Sequence, residues 1–84
     1  MTEAEATARA FFGDVFDQLT AARQQVLVTL AASVGRDRLA GFADLRSAVR
    51  SGNAERCREE ILDTLWATQA PSLARLLGEK YLAG

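Results

Sequence analysis

The sequence contains no histidine, a single cysteine, a single proline and no long apolar run among its 84 residues. Without imidazole, the commonest general base and the commonest nitrogen ligand for a metal are both missing. One cysteine excludes an internal disulfide and any cysteine-cluster metal site, and leaves Cys57 without a histidine to activate it as a nucleophile. No metal and no cofactor is expected. No stretch reaches the roughly 18 consecutive apolar residues of a membrane helix. The start, Met1-Thr2-Glu3-Ala4-Glu5, is acidic and polar, the reverse of a secretory leader. The formal net charge of -1 argues against nucleic acid as the main partner. Neither nucleic acid nor a membrane is therefore expected to be bound, and the expected location is the cytoplasm.

What is present is alanine, leucine, arginine and glutamate, with 49% of residues apolar and no alternating valine or threonine runs. That composition predicts one all-α domain over residues 1–84. Thr2-Glu3-Ala4-Glu5 reads as a capping box opening a helix with the stripe Ala8, Phe11, Phe12, Val15, Phe16 and Leu19, which Gly13 ends or softens. Thr20 to Val34 is apolar on nearly every side, as expected of a helix enclosed by others, and Gly35 stops it. A short helix from Asp37 or Leu39 is expected next. Phe42, Leu45, Ala48 and Val49 give another stripe, closed by Ser51-Gly52. Asn53 then caps a helix carrying Ala54, Cys57, Ile61, Leu62, Leu65 and Trp66, and Pro71 opens a last helix with Leu73, Leu76, Leu77 and Tyr81 inward. The expected architecture is five or six helices around a buried central helix, about residues 20–34.

Three candidate sites follow from the residues. The pairs Glu3 and Glu5, Asp14 and Asp17, and Glu59 and Glu60 read as exposed, ionised carboxylates rather than a hydrolytic dyad, which needs two acids flanking a sugar about 5–9.5 Å apart. Trp66, Phe42 and Tyr81 are expected to close the core where the last two helices meet, with stacking on sugar as the alternative. Arg36, Arg38, Arg46, Arg50, Arg56 and Arg58 form either a solvated face or a basic docking surface, in which Arg46 and Arg50 are the test positions. Cys57 is expected to be a buried, inert thiol.

The order of residues carries a resemblance. Arg23-Gln24-Gln25-Val26-Leu27 to Gly35, Leu39-Ala40-Gly41-Phe42, Leu45, Trp66-Ala67-Thr68-Gln69-Ala70-Pro71 with Ala74, then Tyr81 and Gly84, resemble the large helical lobe of T-even phage lysozymes, glycoside hydrolase family 24. Thr2 to Ala6 with Phe11-Phe12-Gly13-Asp14-Val15 is similar to the helix bridging that family's two lobes. Phe16-Asp17-Gln18-Leu19 looks like the lead-in to its central helix with the intervening short helix deleted. The resemblance implies that the small lobe bearing the catalytic carboxylates is absent and that no residue here is catalytic. It places Gln69 in the turn between the last helices, Ser33 where the family's cleft wall carries a glutamine, and Leu73 where it often carries a base. The function so implied is a non-catalytic, phage- or prophage-derived domain that binds a protein of host or phage, or itself, ahead of peptidoglycan. The rival is a muramidase, minimal or completed by a separate lobe.

Overall fold

Three threonine and asparagine caps and four left-handed glycines set the boundaries of the fold. The computed structural model describes residues 2–84. Helix α1 (Glu3–Phe12) begins at Thr2, whose hydroxyl accepts from the Glu5 amide at 3.1 Å. Only this half of the capping box forms, because the Glu5 carboxylate pairs with Arg9 one turn on. Gly13, at φ 75°, ends α1. A 3-10 segment, Gly13–Gln18, follows, so the lead-in to the central helix is helical rather than simply shortened.

Thr20 caps α2 (Ala21–Val34) by accepting from the Arg23 amide, and Gly35 ends it at φ 89°. The single turn α3 (Arg36–Leu39) and α4 (Ala43–Ser51) follow, with Gly52 left-handed after α4. Asn53 Oδ1 accepts from the Arg56 amide at the start of α5 (Ala54–Ala67), and Pro71 occupies the first turn of α6 (Pro71–Ala83). All described elements are helical, giving the all-α fold that the composition predicts.

Val26, Leu27, Leu30, Ala31 and Val34 of α2 are buried against α1, α5 and α6, joined by Phe12, Phe16, Leu39, Leu45, Val49, Ile61, Leu65, Leu77 and Tyr81. The central helix is not sealed all round: Gln25, Ala32 and Ser33 are exposed along one edge. Helices α5 and α6 form the most intimate pair. Gly78 makes that possible, because a Cβ there would sit 3.2 Å from Arg58 Cγ and 3.5 Å from Leu62 Cδ2. The α6 backbone consequently lies directly on the α5 side chains.

Arginine stems fasten the ends of the bundle. Arg9 stacks 5.0 Å from the Phe16 ring centroid and pairs with Asp17. Arg23 stacks 5.0 Å from the Tyr81 ring, and its Nε donates to the Tyr81 carbonyl at 2.9 Å. That bond adds a second donor to a carbonyl in the last turn of α6, which also accepts from the Gly84 N–H at 3.2 Å.

Candidate functional site

The residues proposed from sequence do not converge on one place. Ser33 is exposed on the open edge of α2, with its hydroxyl donating to the Thr29 carbonyl at 3.1 Å. A groove of about 470 Å³ runs between the start of α1 and the end of α2, lined by Thr2, Glu3, Thr7, Ala31, Ala32 and Arg36, and Ser33 is not among its walls. Arg46 and Arg50 stand exposed one turn apart on α4, unpaired with any carboxylate among the described residues, as are Arg38 and Arg56. Arg58 leaves this set: its guanidinium crosses to α6 and meets Glu79 at 3.2 Å.

Gln69 sits in the α5–α6 turn as the resemblance implies. Its φ of 62° is the one positive value at a non-glycine residue among those described. The turn closes through Gln69 N–H donating to Trp66 O at 3.1 Å and Ala70 N–H donating to Leu65 O at 2.8 Å. Holding a residue with a Cβ in this left-handed region costs on the order of 1 kcal/mol. The turn sets the angle at which Pro71 launches α6.

Two expectations about burial are corrected. Trp66 is not a core residue but 64% exposed, and Leu76 is 63% exposed. The apolar stripe of α5 passes through Ile61 and Leu65, and Trp66 lies one residue, about 100° of helix rotation, beyond Leu65. In α6 the contact with α5 runs through Ala74, Leu77, Gly78 and Tyr81, which turns Leu76 outward. Tyr81 is buried as expected and Phe42 is half-buried against the core.

Trp66 lines a groove of about 560 Å³ between α5 and α6, with Arg58, Leu62, Pro71, Ser72, Arg75 and Glu79 as its other walls. Across the Arg75–Glu79 ridge lies a shallow depression in which Leu76 is flanked by Ser72 and Lys80. Because Ser72, Arg75 and Glu79 border both, Trp66 and Leu76 belong to one continuous face. The sequence signal for that face was the spacing 72, 75, 76, 79, 80, which is a single helical stripe of mixed character.

The carboxylates show one departure from the expected solvated state. Glu60 is half-buried in a groove of about 360 Å³ that also holds Asp44 and Asp63, between the start of α4 and the second half of α5. Desolvation, and then the charges of Asp44 and Asp63, raise its pKa above the ordinary glutamate value, against a smaller opposing pull from Arg56. Glu59, its neighbour, is exposed. The described residues contain no cluster of three acids or thiols arranged to hold a metal.

A linkage argument fixes the sign of the Glu60 effect. The native state holds this proton to higher pH than the unfolded chain does, so the ionised form is a destabilising presence at neutral pH. Glu60→Gln is expected to raise the unfolding free energy by about 0.3–0.5 kcal/mol at neutral pH. The gain should shrink as pH falls through the native pKa and be gone below 4.5, the ordinary value. Urea denaturation at several pH values reads it out, and a loss of stability at neutral pH would show that Glu60 makes a favourable contact instead.

Cys57 is buried at 1% exposure beside Tyr81, and burial pushes its thiol pKa up despite the opposing hydrogen bond from that tyrosine. A raised thiol pKa at a closed position suits packing and not nucleophilic attack. Comparison with protein-family models, with curated proteins and with solved structures finds no match for the chain.

Proposed function

We propose that the chain is a non-catalytic helical domain, related to the helical lobe of phage lysozymes, that acts by binding a protein through the α5–α6 face. The observation that carries this reading is the joint exposure of Trp66 and Leu76. Among the described residues they are the two large apolar side chains left exposed, while eighteen apolar residues are buried, and the grooves they line share Ser72, Arg75 and Glu79. Exposed apolar side chains interleaved with charge are what a protein interface uses. A glycan or other small ligand would call for a concave site covering most of its surface, whereas the grooves here are open to solvent. The setting in which such a domain would act is the cytoplasm of a bacterial cell carrying the phage or prophage.

Glu60 favours a second reading, a muramidase acting alone or completed by a separate lobe, because a carboxyl with raised pKa beside two others is the raw material of acid catalysis. It falls short on geometry: Asp44 on α4 and Glu60 and Asp63 on α5 line the two walls of a shallow groove open to solvent, whereas a glycosidase sets its raised-pKa acid in an apolar pocket apart from an ionised partner. The test is turbidity of a purified peptidoglycan suspension at micromolar protein. No clearing is expected with the wild type or with Glu60→Gln. Clearing that Glu60→Gln abolishes would overturn the binding reading in favour of hydrolysis.

A further inference from the structure

We propose that the partner of the α5–α6 face is a second copy of this chain, bound about a two-fold axis that lays α6 antiparallel on α6. The inference rests on the reading of that face as the contact surface and adds the identity of its occupant.

The argument is one of charge complementarity along a single stripe. Ser72, Leu76 and Lys80 at spacings of four, with Arg75 and Glu79 one residue before Leu76 and Lys80, form one stripe on the outer side of α6. Arg75 and Glu79 are one turn apart, about 6 Å along the axis, with Leu76 between them. Parallel helices would set Arg75 against Arg75 and Glu79 against Glu79. Antiparallel helices related by a two-fold axis set Arg75 against the partner's Glu79, and the symmetry makes the same pair a second time. Leu76 then lies close to the axis, where it packs near its own equivalent. Glu79 is prepared for this role, since Arg58 already holds its carboxylate from the α5 side at 3.2 Å and leaves Arg75 to approach from the other.

Trp66, Leu62 and Pro71 line the adjoining groove and extend the apolar contact beyond the axis. The face carries both signs of charge, Arg58, Arg75 and Lys80 with Glu79 between them. A standard interface takes about 800 Å² from each partner. That is roughly one sixth of the 4916 Å² surface of this chain, and a dissociation constant of order micromolar is expected.

Sedimentation velocity over about 5–500 µM protein tests the proposal. The wild type should shift from monomer to dimer across this range, and Leu76→Asp should abolish the shift. Arg75→Glu alone and Glu79→Arg alone each place like charges opposite one another twice, and both should weaken association by at least about tenfold. Mixed in equal amounts, those two variants should form a heterodimer, because every contact between them again joins an arginine to a glutamate. Circular dichroism of each variant establishes that it is folded.

A wild type that stays monomeric at all concentrations overturns the dimer. So does a dimer indifferent to Leu76→Asp, or a mixture of the two charge variants that remains monomeric. The reading of the chain as a binding domain fails separately, on clearing of peptidoglycan.

Discussion

Leu30→Ala is expected to lower the unfolding free energy by about 3 kcal/mol. Leu30 is fully enclosed on α2, one turn past Val26 and Leu27, where α1, α5 and α6 close over the central helix. Truncation removes the transfer free energy of three carbons and leaves a void that the surrounding helices fill only in part. A domain of this length has a total stability on the order of 4–12 kcal/mol, so the loss is a large fraction of the whole. Thermal unfolding should shift down by roughly 15 °C. Urea denaturation with an unchanged slope is the check, and a change under about 1 kcal/mol would mean that α2 is not the centre of the core.

Tyr81→Ala should cost about 4 kcal/mol, because the residue joins three elements at once. Its ring is buried under the Arg23 guanidinium of α2, its hydroxyl meets Cys57 of α5, and its own helix is held at its end by the Arg23–carbonyl bond. Removing only the hydroxyl, as Tyr81→Phe does, should cost about 1 kcal/mol. Burial first, and then neighbouring Cys57, push the Tyr81 hydroxyl far above its ordinary pKa of 10.0. The sign of the consequence follows by linkage. Above that ordinary value the unfolded chain loses the phenolic proton while the native state keeps it, so stability falls as pH rises. Tyr81→Phe should flatten this alkaline slope. A stability profile above pH 10 that is the same in wild type and Tyr81→Phe would contradict the burial of the hydroxyl.

The legible part of the fold was its punctuation and its central helix. Gly35, Gly52, Asn53 and Pro71 stand where the chain stops and restarts, since a left-handed backbone, a side-chain cap and a missing amide are properties of single residues. The 3-10 segment at Gly13–Gln18 was not legible, because its apolar residues continue the stripe of α1 and only the φ of Gly13 breaks the register.

The site was legible in composition but not in placement. Trp66 and Leu76 continue apolar stripes in one dimension, and what turns them outward is the close approach of α6 to α5 at Gly78, a relation between residues far apart in the chain. The same distance hides the raised pKa of Glu60. On its own helix Asp63 and Glu59 raise it and Arg56 lowers it, but the largest charge effect comes from Asp44 on another helix. Gln69 is the intermediate case. Its place between α5 and α6 follows from Pro71 opening the next helix, while its positive φ depends on how that turn is closed by backbone hydrogen bonds.

The central claim is that this protein works through a face the fold itself does not need, and the double variant Trp66→Ser with Leu76→Ser tests it most directly. Both side chains are about two-thirds exposed, so their removal takes little buried apolar area away. Urea denaturation at a protein concentration too low for association should give an unfolding free energy within about 0.5 kcal/mol of wild type. A loss of more than about 2 kcal/mol would return both residues to the core and leave the α5–α6 face with nothing to bind by.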